Sequence, residues 1–161
     1  MSNAQIAALF GLLIGGVIGV TTIILAVVKY VITAMGYAKM FGKAGEPGWK
    51  AFVPFYNEYI LFKTCWTTNM FFVSLILSIL YSVVDSLGDN FFLKLLGFVI
   101  FIPSLLVDVK KAMNVSKAFN RGIGTAVGFF FFPVIFSWIL GFGSAEYMGP
   151  VEDEFSNFQL K

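Results

Sequence analysis

Uncharged apolar runs and short charged segments alternate along this chain. No charged side chain occurs between Ser2 and Val28, and a second uncharged run extends from Thr64 to Val84. A helix that rises about 1.5 Å per residue needs about 20 apolar residues to cross a hydrocarbon core about 30 Å thick. The pattern therefore predicts four transmembrane helices, over about residues 6–31, 66–86, 91–109 and 122–144.

The last two predicted spans are less regular than the first two. The uncharged part of the third, from Leu95 to Val107, has 13 residues and contains Pro103, so this helix is expected to bend or to place its flanking charges at the interfaces. The fourth contains four consecutive phenylalanines before Pro133, which predicts a kinked helix.

A segment with a different pattern, residues 44–63, lies between the first and second spans. Glu46 and Pro47 are typical of a helix start, because proline at the first helical position lacks only an N–H that would have no helical partner. Pro54 predicts the end of that helix, and Asn57 is suited to capping the next one. This segment is expected to form a broken amphipathic helical hairpin at the membrane surface.

Positive charge is concentrated in two of the polar segments. Nine of the eleven basic residues lie there: Lys29, Lys39, Lys43, Lys50, Lys63, Lys110, Lys111, Lys117 and Arg121. Because an excess of Lys and Arg marks cytoplasmic loops, both segments are expected in the cytoplasm. Four spans then place the N-terminus and the acidic tail, residues 146–161, outside.

Composition agrees with a membrane location. Hydrophobic residues make up 58% of the chain, charged residues only 12%, and the mean hydropathy is +0.86, far from the averages of soluble domains. A single arginine cannot form an arginine-rich face for nucleic acid. The predicted fold is an all-α integral membrane protein of one domain, residues 1–161, with four transmembrane helices and the hairpin between the first two.

Few groups are available for catalysis or for binding a metal. The chain has no histidine, and Cys65 is its only cysteine, so neither an internal disulfide nor a His/Cys metal site is expected. An intramembrane nucleophile would need a lysine or a second carboxylate as its partner, and no such arrangement is convincing. We expect a protein that is not an enzyme and that binds no cofactor and no metal.

Small residues recur at four-residue intervals in the first span, at Ala7, Gly11, Gly15 and Gly19. Such a row lies on one helix face and lets another helix approach closely. Two interpretations stay open, a contact with a second membrane protein or copy, and packing against another span of the same chain.

Other candidate contacts join the two basic segments. Glu58 is expected to pair with Lys110 or Lys111 and thereby hold the hairpin against the bundle, with separate solvation of these charges as the alternative. Asp108 lies three residues before Lys111, which predicts a local ion pair. Three hairpin aromatics are candidates for either a ligand cage or an ordinary interfacial belt: Trp49, Tyr56 and Tyr59.

The hairpin sequence Gly45-Glu-Pro-Gly-Trp-Lys-Ala-Phe-Val-Pro-Phe-Tyr-Asn-Glu-Tyr resembles a family of small bacterial multi-span membrane proteins of unknown function. Tyr37-Ala-Lys-Met-Phe, Lys117-Ala-Phe-Asn-Arg-Gly and Phe132-Pro-Val-Ile-Phe-Ser-Trp are also similar to it, so the resemblance covers most of residues 36–150. In that family the domain occurs alone or joined to a type I signal peptidase module. The resemblance implies work near protein export or envelope assembly.

These features together predict a non-enzymatic accessory or structural subunit of a bacterial inner-membrane complex. Its expected partners are membrane lipids and another integral membrane protein or a second copy of itself, and not nucleic acid. The alternative is a small oligomeric transporter or channel for a lipid, peptide or ion, which would need a polar path through the bundle.

Overall fold

A computed structural model describes residues 3–152, without the side chains of residues 3–4 and 7–9. All regular elements in that range are helical. They are α1 (Asn3–Lys43), a short 3₁₀ helix (Gly48–Phe52), α2 (Tyr56–Cys65), α3 (Thr68–Ser86), α4 (Phe91–Ala118), α5 (Ile123–Phe131) and α6 (Pro133–Phe142). The chain divides into two compact units, and the boundary lies within α1, between Ile32 and Thr33.

Three helices are long and apolar enough to cross a membrane: Phe10–Lys43 of α1, Thr68–Ser86 and Phe91–Ala118. The chain therefore has the all-helical character of a membrane protein. Between α3 and α4 the chain turns at Gly88, whose φ of 125° suits only glycine. Asn90 then caps α4, because its Oδ1 accepts a hydrogen bond from the Leu93 N–H at 2.9 Å.

The fourth predicted span, residues 122–144, is two short helices in the structure. α5 has 9 residues and α6 has 10, so neither reaches the length of about 20 residues that a crossing requires. Pro133 begins α6, where its missing N–H costs nothing, and the helix direction changes at Phe132. The described residues thus contain three candidate spans, and a kinked fourth span, in which α5 and α6 would cross together, stays a prediction.

After α6 the chain returns to the ends of α2 and α4. The Met148 N–H donates to the Ala118 carbonyl at 2.7 Å, and the Val151 N–H donates to the Cys65 carbonyl at 3.2 Å. Between them, the Tyr147 hydroxyl donates to the Thr64 carbonyl. Residues 147–151 therefore lie on the same end of the second unit as the C-termini of α2 and α4. The rest of the predicted tail, residues 153–161, falls outside the described residues.

The core of the second unit lies where α2 and the C-terminal parts of α1 and α4 meet α5 and α6. Five of its fully buried side chains are Phe41, Leu61, Val115, Phe119 and Leu140. By contrast, α3 and the first half of α4 expose many apolar side chains, among them Ile76, Ile79, Phe98 and Val99. Exposed apolar faces on helices of this length are suited to lipid contact.

Small residues allow α1 and α6 to approach closely. A Cβ added to Gly141 would lie 2.7 Å from the Gly36 carbonyl oxygen and 2.9 Å from the Lys39 Cβ, while one added to Gly36 would collide with Ser137. Ser137 and Gly141 are four residues apart on α6, the spacing at which small residues share one face. Helix contact through small residues therefore occurs at Gly36, Ser137 and Gly141.

Candidate functional site

Charged side chains of α2 and α4 meet in a cleft that we call the Lys111 cleft. The Lys111 Nζ lies 3.0 Å from Asp108 Oδ1 on its own helix and 3.4 Å from Glu58 Oε2 on α2. It also lies 5.5 Å from the ring centre of Phe62. Glu58 is predicted to pair with Lys110 or Lys111, and in the structure its carboxylate pairs with Lys111.

The remaining walls of the Lys111 cleft are aromatic and apolar. Tyr37, Phe129, Phe130, Ala112 and Pro133 line it together with the three charged residues, and its volume is about 370 Å³. Tyr37 is only 5% exposed, whereas the carboxylates of Glu58 and Asp108 are 38% and 48% exposed. Two carboxylates around one ammonium leave a net negative charge, so the cleft is suited to a cation or to a group that donates hydrogen bonds.

A fully buried amide lies one turn beyond Lys111 on α4. Asn114 is 1% exposed, and its Nδ2 has no hydrogen-bond partner among the described residues. An unpartnered buried donor costs free energy, of the order of 1–3 kcal/mol. Nothing in the sequence pattern distinguishes Asn114 from an ordinary polar residue of a helix end.

A second charged cluster holds the hairpin segment together. Glu46 Oε2 accepts a hydrogen bond from Lys50 Nζ at 2.6 Å, and Glu46 Oε1 accepts one from Lys63 Nζ at 2.8 Å. These hydrogen bonds, the one from Lys50 first, lower the pKa of the Glu46 carboxyl and raise the pKa values of both lysines. Glu46 thereby links α2 to the loop that follows α1.

The three candidate aromatics form a row along this segment. The ring centres of Trp49 and Tyr56 are 6.3 Å apart, and those of Tyr56 and Tyr59 are 5.7 Å apart with nearly parallel planes. Tyr59 continues the row edge-on to Phe71 of α3, at 5.5 Å. A row of rings packed on one another differs from a cage, in which rings surround a shared space. Trp49, at its outer end, is 62% exposed.

Exposed apolar residues cover the outer side of the same segment. Trp49, Phe52, Val53 and Phe55 are each at least 40% exposed, and Phe55 reaches 72%. Phe55 also has a φ of 63°, a conformation that bulky side chains rarely adopt, so the break between the 3₁₀ helix and α2 is strained. The segment therefore has an apolar outer side next to the Glu46 ion pairs.

The glycine row of α1 lies in the first unit, where Gly11, Gly15 and Gly19 recur at four-residue intervals along one helix face. The Ala7 side chain falls outside the described part of the chain. The small-residue contact that the structure describes is the one at Gly36 and Gly141, both in the second unit.

Two residues with clear structural roles were missed by sequence reasoning. Lys43 donates from Nζ to the carbonyl oxygens of Leu140, Gly143 and Ala145, at 2.7, 2.7 and 2.9 Å. Burial raises the pKa of the Tyr147 hydroxyl to about 12, so it stays a donor to the Thr64 carbonyl at neutral pH. Both contacts join segments more than 80 residues apart, and no local pattern in the sequence predicts them.

The second unit contains a region that matches a protein-family model. A family model described as a family of unknown function, DUF5684, matches residues 49–150, which is well over half of the chain. The chain belongs to this family. The matched region includes Glu58, Asp108 and Lys111, whereas Tyr37 and the glycine row of α1 lie before its first residue.

Neither a curated protein nor a solved structure matches the chain. The description of the matched family names no activity. No group of three or more His, Cys, Asp or Glu residues that could hold a metal ion occurs among the described residues. Burial raises the pKa of the Cys65 thiol to about 12, so at neutral pH this side chain is not the thiolate that nucleophilic attack requires.

Proposed function

We propose that this chain is a non-enzymatic subunit of a membrane complex and that it binds another integral membrane protein, or a second copy of itself, through the first half of α1. The observation that carries this proposal is the row of glycines at four-residue intervals, Gly11, Gly15 and Gly19, on one face of a helix that is long and apolar enough to span a membrane. In lipid, helices associate through close packing of small residues, because apolar side chains gain little by leaving the lipid.

Gly15→Leu is the direct test, with Val17→Leu on the opposite side of the helix as its matched control. The full chain is purified from native membrane in a mild detergent, and associated proteins are identified and quantified after crosslinking. We expect the wild-type chain to purify with a stoichiometric partner or as a crosslinked dimer. The Gly15→Leu variant should lose this association, and the Val17→Leu variant should retain it. A chain that purifies alone, or a partner that both variants retain, would overturn the proposal.

The proposed location is the bacterial inner membrane, with the hairpin in the cytoplasm. The basic residues of the hairpin segment and of the end of α4 support that side. In this proposal three helices cross, so that the N-terminus lies outside and the C-terminus in the cytoplasm. The shortness of α5 and α6 and the return of residues 147–151 to the ends of α2 and α4 support it. The acidic tail does not oppose this orientation, since Asp and Glu contribute little to it.

This orientation differs from the four-span prediction at the C-terminus. A reporter that works only in the cytoplasm, fused after Lys161, should be active in our proposal, whereas the four-span topology predicts an inactive reporter. The same reporter fused after Asp89, in the short connection between α3 and α4, should be inactive in both. Activity after Asp89 would contradict the assigned sides of α3 and α4.

A role in protein export or envelope assembly belongs to the same proposal and is supported by the resemblance of the hairpin sequence. The identity of the partner that is found by crosslinking tests this role. A component of an export or envelope machine would support this role, and a partner from an unrelated complex would contradict it.

The Lys111 cleft favours a second candidate, a small oligomeric transporter or channel. Ionisable groups beside membrane helices are a usual mark of a path for polar solutes, and here two carboxylates and one lysine border an open space of about 370 Å³. Liposomes that contain the purified chain should then release a small cation, and Glu58→Gln should slow that release at least about 10-fold while the exposed control Asp89→Asn does not. Equal retention by empty and protein-containing liposomes would exclude this candidate.

A further inference from the structure

A groove between α4 and α5 has the character of a lipid site. A cavity of about 280 Å³ lies between the two helices, lined only by apolar side chains, among them Val109 and Met113 of α4 and Val127 and Phe131 of α5. α4 is long and apolar enough to cross a membrane, so this cavity lies beside a candidate span. Its walls are suited to an acyl chain.

Cationic groups stand at one end of this groove. A second cavity, of about 220 Å³, shares Met113, Ile123 and Ala126 with the first, so the two are adjacent. Its other lining residues include Ser116, Lys117 and Arg121. Lys117 and Arg121 are exposed, and no acidic residue lines either cavity. The groove therefore combines an apolar floor with a positively charged mouth.

The backbone at the mouth is held in place by Ser116. This side chain is 2% exposed, its Oγ donates to the Gly122 carbonyl at 2.8 Å, and its own carbonyl accepts from the Arg121 N–H at 2.8 Å. Gly122 is the N-cap of α5 and has no side chain to accept the first N–H groups of that helix. Free N–H groups and the helix dipole favour an anion at this position, next to the two cations.

We propose that the groove binds an anionic phospholipid, with its phosphate between Lys117, Arg121 and the first turn of α5, and with one acyl chain along Met113, Val127 and Phe131. Charge complementarity selects this occupant over a zwitterionic lipid, because a basic pocket between membrane helices gains most from a headgroup of net negative charge. Arg121 also donates to Ser144 Oγ at 3.2 Å and borders a separate cavity with Glu146, so it has a partner before lipid binds. The site is independent of the proposed subunit role of α1.

The test uses the full chain in nanodiscs of phosphatidylcholine with increasing phosphatidylglycerol, followed by native mass spectrometry of the lipid that remains bound after transfer to detergent. We expect saturable retention of one phosphatidylglycerol per chain, weakened at least about 10-fold by the double variant Lys117→Gln/Arg121→Gln. Lys94→Gln, at the other end of α4, is the charge control and should bind as the wild type does.

A second variant separates the groove from simple charge attraction. Val127→Trp fills the apolar cavity without changing any charge and should abolish retention, while Ile135→Trp, on an exposed position of α6, should not. Equal retention of phosphatidylcholine and phosphatidylglycerol would overturn the proposal. Unchanged phosphatidylglycerol binding in Val127→Trp would also contradict it, as would displacement of the bound phosphatidylglycerol by inorganic phosphate. Continued protection of the Cys65 thiol in each variant verifies that the fold is intact.

Discussion

The Nζ of Lys43, in the last turn of α1, lies 2.7 Å from the carbonyl oxygen of Leu140 in the last turn of α6. Two further carbonyls, of Gly143 and Ala145, accept from the same ammonium at 2.7 and 2.9 Å. The last carbonyls of a helix have no partner within it, and a cation there also complements the negative end of the helix dipole. Lys43 thus serves as the C-terminal cap of α6 from a different helix.

Lys43→Met should destabilise the fold markedly. It removes three charge-assisted hydrogen bonds and leaves partly buried carbonyls without donors, and we expect a loss of about 2–3 kcal/mol. Thermal unfolding in detergent, followed by circular dichroism, measures the change. Lys94→Met is the matched control, because Lys94 is 66% exposed and its ion pair with Asp89 is a surface one at 3.4 Å. Equal midpoints for the two variants would contradict the capping role.

Local patterns in the sequence predict the helices but not the contact between Lys43 and α6. Lys43 is one of the basic residues whose excess predicts a cytoplasmic segment, and that pattern does not depend on its contacts. Which carbonyls it reaches depends on the packing of α1 against α6, and that packing joins residues about 100 positions apart. Long-range partners of this kind carry no periodic signal.

The fourth apolar run shows a different limit of prediction. Residues 122–144 are uncharged and long enough to span, so hydropathy alone favours one crossing. The structure divides this run into α5 and α6, and Pro133 allows the division because it can begin a helix as readily as it can kink one. Packing accompanies the break, because a Cβ on Gly128 would collide with the Phe136 ring and the two helices are therefore in close contact there.

Gly141→Ala should be costly although alanine favours helices. The added Cβ would lie 2.7 Å from the Gly36 carbonyl oxygen, so α1 and α6 must separate, at a cost of about 1–3 kcal/mol. Gly124→Ala on α5 is the matched control, since its Cβ would meet nothing within 4 Å and the change should stabilise by up to about 1 kcal/mol. Thermal midpoints that shift in the same direction for both variants would refute the close contact.

Removing the cation of the Lys111 cleft should destabilise the fold more than removing one of its carboxylates. Lys111→Met leaves Glu58 and Asp108 facing each other without a cation, whereas Glu58→Gln leaves Lys111 paired with Asp108 at 3.0 Å. We expect a loss of about 1–2 kcal/mol for Lys111→Met and less than about 1 kcal/mol for Glu58→Gln, both moderated by partial exposure. The triple variant Glu58→Gln/Asp108→Asn/Lys111→Met should regain part of the loss, and a triple variant less stable than Lys111→Met would be evidence against this account.

Glu46 makes stability depend on pH in the acid range. Hydrogen bonds from Lys50 and then Lys63 lower its pKa in the folded protein below the ordinary value of 4.5. A carboxyl of this kind stabilises the folded state fully above its unfolded pKa, and that contribution is lost as the pH falls through the folded pKa. At pH 7, Glu46→Gln should therefore lower the thermal midpoint by about 2–4 °C.

Below about pH 4, the difference between Glu46→Gln and the wild type should shrink as the wild-type carboxylate becomes protonated. Asp89→Asn serves as the control, since the Asp89 side chain is 95% exposed and this change should leave the midpoint nearly constant. Midpoints of Glu46→Gln and wild type that differ equally at pH 7 and pH 3 would show that the ion pairs of Glu46 do not act in this way.

Cys65 offers a probe of the whole arrangement, because it is the only thiol in the chain and is 2% exposed at the end of α2. Its pKa, raised by burial from 9.0 to about 12, lowers the thiolate fraction at neutral pH by a factor of about 1,000. A maleimide dye should therefore label the folded protein very slowly, with a rate that rises with pH. Ser144→Cys in a Cys65→Ala background places a thiol at an exposed position and should label at the rate of a free cysteine. Labelling of Cys65 under native conditions as fast as that of the Ser144→Cys thiol would contradict the packing of α2 against residues 147–151.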